Sequence, residues 1–278
     1  MSVPVPALRL RPLTLMDVLD ESFRLYRANF PLLAGISIGL AIPVLIINLL
    51  SGSTASIAGA YTAALNGTTP SNPGGGNLVI ALLQYPIQLT LLPFQAGTLF
   101  AAAVAIVLGG RVTLVSALRT VLNRYWAIWA LSLLYLVASV ALVCLPLGVW
   151  LLTRLALTIP ILFTEQSPIG TAVERSWRLT DRAFWRTLGV VICAILLGYA
   201  LQTSLAGVFL LAAGVFPGLP TEVRIVVIVS VASLMTQLVE PLFALAVTLV
   251  YFDLRVRREA LDLEIMAYQL SAPPSPAT

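Results

Sequence analysis

Two apolar stretches decide the fold class, FPLLAGISIGLAIPVLIINLL at residues 30–50 and LVIALLQYPIQLTLLPFQAGTLFAAAVAIVL at residues 78–108. Both lie inside the run from Ala28 to Gly110, which contains no Asp, Glu, Lys or Arg. An α-helix needs roughly 20 apolar residues to cross a hydrocarbon layer about 30 Å thick. The run therefore has room for two membrane spans and a polar loop, whereas a water-facing surface of that length would carry charges.

The composition of the whole chain also indicates a membrane protein. Hydrophobic residues make up 59% of the 278 residues and charged residues only 10%, whereas an average soluble domain carries about 25% charged residues. The mean hydropathy is +0.97. These values exclude a soluble globular protein and predict an all-α fold, a polytopic transmembrane helical bundle with the lipid bilayer as its solvent.

Apolar runs and loop signals predict about six spans. Their boundaries are near 31–50, 78–108, 126–145, 147–163, 185–212 and 226–251. The second span is long and contains Pro86 and Pro93, but splitting it would place later arginine clusters on the wrong side. The third and fourth are predicted to meet at a tight corner, residues 146–148. Segment 51–77 is rich in Gly, Ser and Thr, so we expect a flexible loop.

The arginines give the bundle an orientation. All 16 basic residues are arginines, and all but two of them fall in segments 1–29, 109–125, 164–186 and 252–278. With six spans these four segments lie on one side, which the positive-inside rule assigns to the cytoplasm. We therefore expect both termini in the cytoplasm. The arginine-only, alanine-rich usage favours a bacterial source and hence the cytoplasmic (inner) membrane.

Residues 1–266 are predicted to form a single membrane domain, and residues 267–278 a disordered cytoplasmic tail.

The first, third and fifth spans are each preceded by a similar segment: a helix start signal, an amphipathic helix and an aromatic residue that opens the span. These segments lie near 14–29, 113–125 and 168–182. The first has a start like a capping box at Thr14, and the third has Ser167 as cap with Pro168 as its first helical residue. The pattern predicts three transmembrane hairpins, each introduced by an interfacial helix on the cytoplasmic side.

The polar faces of these helices carry arginines that can face phosphates. The residues are Arg24, Arg27, Arg119, Arg124, Arg175, Arg178 and Arg182. Two interpretations stay open. The helices are topological anchors only, or they form a shared platform that binds anionic lipid headgroups or a cytoplasmic or membrane protein partner.

A second group of candidates lies at membrane depth, where polar groups are costly. Its members are Arg154, Glu240, Gln84, Gln88 and Gln237. Arg154 is expected to snorkel outward from the fourth span, and a direct pair with Glu240 would need a register shift. Glu240 is either a structural polar tie or a proton or substrate site. The glutamines either hydrogen-bond between helices or line a polar cavity.

The sequence excludes several kinds of chemistry. There is no histidine, so no imidazole is available as a metal ligand, haem ligand or general base. Phosphate-binding loops, dinucleotide-binding turns and zinc motifs are also missing. We predict no catalytic, cofactor-binding or metal-binding residues, no cofactor and no nucleic-acid partner.

Three segments carry a resemblance to a known family. They are RPLTLMDVLD at 11–20 with FRLYR at 23–27, ERSWRL at 174–179, and YFDLR at 251–255 with REALDLE at 258–264. The chain resembles the family named for the membrane domain of glycerophosphoryl diester phosphodiesterases. The resemblance implies a membrane anchor or accessory domain. In fused members a separate soluble barrel hydrolyses the substrate with histidines, and we expect neither that domain nor its activity here.

The function expected from the sequence is a non-enzymatic membrane scaffold or accessory domain that assists at the cytoplasmic face. The alternative is a small transporter or permease with a polar site around Glu240 and the second span. A membrane-embedded phosphodiesterase is the third and least favoured interpretation.

Overall fold

The computed structural model describes residues 13–68, 78–110, 112–211 and 221–259. Within these ranges the chain is helical and contains no strand. The helices are α1 (Leu15–Ala28), α2 (Phe30–Leu50), α3 (Ser53–Asn66), α4 (Leu78–Val107), α5 (Leu114–Leu122), α6 (Tyr125–Val140), α7 (Leu145–Leu155), α8 (Thr158–Thr164), α9 (Ile169–Thr180), α10 (Phe184–Leu211), α11 (Thr221–Thr236) and α12 (Glu240–Glu259). The predicted tail, residues 267–278, lies outside the described residues.

Among the described residues, six helical segments are long and apolar enough to cross a membrane. They are Phe30–Leu50, Pro86–Val107, Tyr125–Val143, Leu145–Thr164, Phe184–Leu205 and Val223–Glu259. The prediction of a transmembrane helical bundle with about six spans is confirmed. The second span is one helix that continues through Pro86 and Pro93.

The prediction of a loop over residues 51–77 is wrong for its first half, because Ser53–Asn66 forms α3. Six of these 14 residues are alanine or leucine, which favour helix and outweigh the two serines and the glycine. Gly52 has a φ of +75°, a left-handed conformation that reverses the chain between α2 and α3. Helix α3 packs against α11.

The corner between the third and fourth spans lies earlier than predicted. The chain turns at Ala141–Val143, a short 3₁₀ segment, and Pro146 stands in the first turn of α7, where a missing N–H costs nothing. Gly148 allows the close approach, because a Cβ there would lie 2.5 Å from the Cα of Leu142. The fourth span is also two helices, α7 and α8, separated at Ala156 and Leu157.

Two other predicted boundaries change. Ser167 is not the cap of α9: Pro168 occupies that position, the helix begins at Ile169, and no side chain caps it. The sixth span is longer than predicted, because α11, a 3₁₀ turn at Gln237–Val239 and α12 follow one another from Thr221 to Glu259. The turn immediately precedes α12, in which Pro241 has no N–H to donate to the helix.

Helix α12 lies at the centre of the bundle. Every residue from Ala244 to Leu254 is buried, and the helix packs against α1, α2, α4, α8, α9 and α10. Its principal neighbour α4 contains three consecutive small residues, Ala101, Ala102 and Ala103, which are all buried. Small side chains let helix backbones approach closely, and packing of this kind drives helix association in lipid.

The four arginine-bearing segments meet at one end of the bundle, which we call the arginine-rich face. Arg124 donates to the Ser167 carbonyl at 2.9 Å, and Arg175 pairs with Glu259 at 2.7 Å. Arg186 pairs with Asp253 at 2.9 Å. Helices α1, α5 and α9 lie where interfacial helices were predicted; their depth in the headgroup layer and the three-hairpin scheme stay predictions.

Candidate functional site

Helix α1 opens the arginine-rich face with the predicted capping box. The Thr14 hydroxyl accepts from the Asp17 N–H at 3.2 Å, and the Asp17 carboxylate accepts from the Thr14 N–H at 2.8 Å. Ser22 lies at the centre of the buried face, between Val18 and Leu25. Its hydroxyl donates to the Val18 carbonyl at 2.7 Å, so a buried polar group is satisfied within its own helix.

Asp253 holds the two ends of the described chain together. Its side chain is 1% exposed and accepts the Leu13 N–H at 2.7 Å. Two arginines pair with it, Arg186 at 2.9 Å and Arg257 at 3.0 Å, and both also donate to the Leu13 carbonyl. We call these four residues the Asp253 cluster. A buried carboxylate with this set of donors fixes α1, α10 and α12 relative to one another.

A second cluster joins α9 to α12. Arg175 pairs with Glu165 and Glu259, and Arg255 pairs with Glu259 at 3.1 Å. The Tyr251 hydroxyl donates to Glu165 at 2.7 Å. Arg175 was predicted to face a lipid or partner, but its guanidinium is engaged inside the protein.

Arg124 also has an internal role. Its guanidinium donates to the carbonyls of Gln166 and Ser167 and, at 3.4 Å, to that of Leu162. These carbonyls lie at the end of α8 and in the loop that follows, where backbone acceptors lack helical partners. Arg124 therefore holds this loop against the start of α6.

Arg154 does not snorkel outward as predicted. It is 9% exposed, and its guanidinium donates to the Trp177 carbonyl at 3.1 Å and to Asp181 at 3.0 Å. The rings of Trp150, Trp177 and Phe184 lie 5.7–5.9 Å from it, within cation–π range. The reason for the inward direction is that α9 supplies a carbonyl acceptor and an aromatic ring on that side, and Asp181, which follows α9, supplies a carboxylate. Arg154 therefore ties the fourth span to the arginine-rich face.

A cleft of about 1080 Å³ opens at this face between α9 and the end of α12. Four arginines and three carboxylates line it together with Trp177 and Leu179. The charged residues are Arg178, Arg182, Arg257, Arg258, Glu174, Asp181 and Glu259. Arg178 and Arg182 are exposed members of the predicted binding set. Both arginines were predicted from the sequence. The spacing of residues in α9, however, did not indicate that the end of α12 forms the opposite wall of the cleft.

Arg24, Arg27 and Arg119 lie outside the cleft and are exposed. Arg24 pairs with Glu21 on its own helix, which reduces its availability to a ligand.

The polar residues at membrane depth pair with one another. Gln88 donates to Asn48 at 2.7 Å and Gln95 donates to Gln237 at 2.9 Å. Glu240 accepts from Gln202 at 3.4 Å, so the considered pair with Arg154 does not form. The side chain of Gln84 lies outside the described residues.

Among the described residues no group of three acids, cysteines or histidines is placed to hold a metal ion. A comparison with protein-family models matches residues 120–264 to the membrane domain of glycerophosphoryl diester phosphodiesterase. The chain belongs to this family. The match covers just over half of the chain and includes all nine residues that line the cleft. The resemblance seen in the sequence is therefore confirmed.

Comparisons with curated proteins and with solved structures gave no match to this member of the glycerophosphoryl diester phosphodiesterase membrane domain family.

Proposed function

We propose that this protein is a non-enzymatic scaffold of the bacterial inner membrane, an accessory domain whose arginine-rich face lies in the cytoplasm and binds a partner. The observation that carries the proposal is the contrast between the two parts of this face. The Asp253 and Glu165–Arg175–Glu259 clusters make a fixed framework. Next to them a charged cleft stays open.

A fixed framework suits a platform because a binding surface must be held in place before the partner arrives. Four segments that are distant in sequence contribute to it, and each is anchored by at least one charged hydrogen bond to another. Exposed Trp126 and Trp185 flank the face, and aromatic rings of this kind prefer the interface between membrane and water.

The interior of the bundle supports scaffolding over transport. Around α12 the helices enclose a continuous run of buried residues, from Ala244 to Leu254. The described polar residues at membrane depth mostly bond across to a neighbouring helix, as Gln95 does with Gln237. That arrangement serves helix association and leaves few polar groups to coordinate a solute.

Transport remains the second candidate because of Glu240. This residue is exposed. It lies 13 residues before Asp253 in α12, which separates the two residues by about 20 Å along the helix axis. An exposed carboxylate at membrane depth is costly, and functional sites often account for such groups.

Reconstitution of the full chain in lipid vesicles separates the candidates. A scaffold should show no glycerophosphodiester hydrolysis, with or without divalent metal ions, and no flux of glycerophosphodiesters or glycerol phosphate. Flux that E240Q abolishes at unchanged folded yield would establish transport and overturn the proposal. Hydrolysis by the purified chain would overturn it in favour of an enzyme.

The positive test uses a photoreactive amino acid in place of Arg178, with the same residue in place of lipid-facing Leu136 as control. A scaffold should give a discrete adduct with a protein from position 178 and none of that size from position 136. Identical adduct patterns at the two positions would contradict the platform.

Orientation is tested with single cysteines in a C144A/C193A background. A maleimide that cannot cross the membrane should label T68C from outside intact spheroplasts and should label R119C only after lysis. The reverse pattern would place the arginine-rich face outside the cell.

A further inference from the structure

The charges of the cleft between α9 and α12 are not balanced. Asp181 is already paired with Arg154, and Glu259 with Arg175 and Arg255. None of these three arginines lines the cleft. Two of the three lining carboxylates are therefore neutralised from behind the cleft wall.

The lining arginines are compensated to a smaller degree. Arg257 pairs with Asp253, and Arg258 donates to the neutral carbonyl of Arg178 at 3.0 Å. Within the described residues Arg178 and Arg182 have no ion pair. Among the described residues, three guanidinium charges thus face a single unpaired carboxylate, that of Glu174, and this part of the cleft favours an anion.

The type of charged group identifies the kind of anion. A guanidinium offers a planar set of N–H donors that matches a phosphate in a bidentate manner, and several together bind it more strongly than one. The unpaired Glu174 carboxylate on the same wall would repel a second anionic group. It would instead accept hydrogen bonds from the free hydroxyl groups of an alcohol that is esterified to the phosphate.

We propose that this cleft binds a phosphate ester of a polyol, with the phosphate on Arg178, Arg182 and Arg258 and a polyol hydroxyl on Glu174. The volume of about 1080 Å³ accommodates such a group with space to spare. The inference rests on the proposed function, because it names the ligand of the same arginine-rich face.

The position of the cleft indicates where the ligand comes from. Arg182 lies two residues before Phe184, where α10 begins, and Trp185 is 81% exposed. An exposed tryptophan at the start of a span sits at headgroup depth. Phosphate esters reach this depth either as lipid headgroups or as soluble molecules from the aqueous side.

The test measures binding to the purified full chain in detergent through tryptophan fluorescence, since Trp177 lines the cleft. The probes are short-chain phosphatidylglycerol, glycerol 3-phosphate, inorganic phosphate and short-chain phosphatidylcholine. We expect saturable binding of the first two, with the stronger of them showing whether lipid or soluble ester is the ligand. Phosphatidylcholine should bind at least about tenfold more weakly, because its headgroup has no hydroxyl and no net charge.

Two double variants remove the same charge from the same face. R178Q/R182Q should weaken binding at least about tenfold, while R27Q/R119Q, outside the cleft, should change it less than about twofold. E174Q should reduce the preference for glycerol 3-phosphate over inorganic phosphate. Melting curves verify that each variant is folded.

Equal losses in the two double variants would show general charge attraction and overturn the site. Equal binding of phosphatidylcholine, or no saturable binding by folded wild-type protein, would also overturn it. These results leave the scaffold standing, whereas hydrolysis or flux of glycerol 3-phosphate would overturn the scaffold without affecting the binding site.

Discussion

Replacing Asp253 with asparagine removes the charge that joins the first described residue to the last helix. The side chain is 1% exposed and accepts from Leu13, Arg186 and Arg257. Asparagine keeps one oxygen, which can still accept the Leu13 N–H. Its amide group, however, would face two guanidinium groups, so donors would meet donors and two positive charges would lose their counterion.

The size of the effect follows from the burial of the partners. Breaking a buried ion pair costs about 3–5 kcal/mol. The side chains of Arg186 and Arg257 are 29% and 36% exposed, so water recovers part of their solvation. We therefore take the lower end, about 3 kcal/mol. For chains of this size, about 2–4 °C of melting temperature corresponds to each kcal/mol, so D253N should melt about 6–12 °C lower.

The assay is thermal unfolding of purified protein in detergent, followed by tryptophan fluorescence. The matched control is E21Q, which makes the same chemical change in the Glu21–Arg24 pair of α1. Exposed pairs contribute about 0–1 kcal/mol, so E21Q should melt within about 4 °C of wild type. The reasoning is refuted if D253N has the same melting temperature as wild type, or if E21Q lowers the melting temperature as much as D253N does.

Two further predictions concern the spans. G148A should destabilise the protein by about 1–3 kcal/mol, because the new Cβ would lie 2.5 Å from the Cα of Leu142; G35A, where nothing lies within 4 Å, should be neutral or slightly stabilising in the same melt. In a double-mutant cycle, Q95L and Q237L should show a coupling of about 0.6–1.7 kcal/mol from their 2.9 Å hydrogen bond. Strictly additive effects would mean that this bond contributes nothing to stability.

The membrane architecture could be predicted from the sequence because the lipid bilayer sets a simple requirement on length and charge. A helix that crosses the bilayer needs a long uncharged run, and the run from Ala28 to Gly110 satisfies it. The grouping of the arginines on one face was also predictable, since two spans separate each arginine cluster from the next and so return the chain to the same side. The helix at Ser53–Asn66 was missed because its composition is intermediate and its packing against α11 is not visible locally.

The candidate site was predictable residue by residue but not as an assembly. Helical spacing placed Arg175 and Arg178 on the polar face of α9, yet the structure engages Arg175 with Glu259 and leaves Arg178 in the cleft. Which arginine stays available depends on how α12 approaches α9, a contact between residues more than 80 positions apart. The inward turn of Arg154 toward Asp181 likewise depends on a tertiary contact, the packing of α7 against α9.

The central position of α12 has a consequence for how the protein is made. The ribosome releases this helix after all the other described helices, yet six of them pack against it. The hydrogen bond from the Leu13 N–H cannot form until Asp253, 240 residues later, has been synthesised. The Tyr26 hydroxyl likewise bonds to the carbonyl of Leu238, which is also made late. Contacts so distant in sequence form late. We therefore expect the first eleven helices to be held loosely during insertion, and a nascent chain stalled before residue 240 to be a target for membrane proteases.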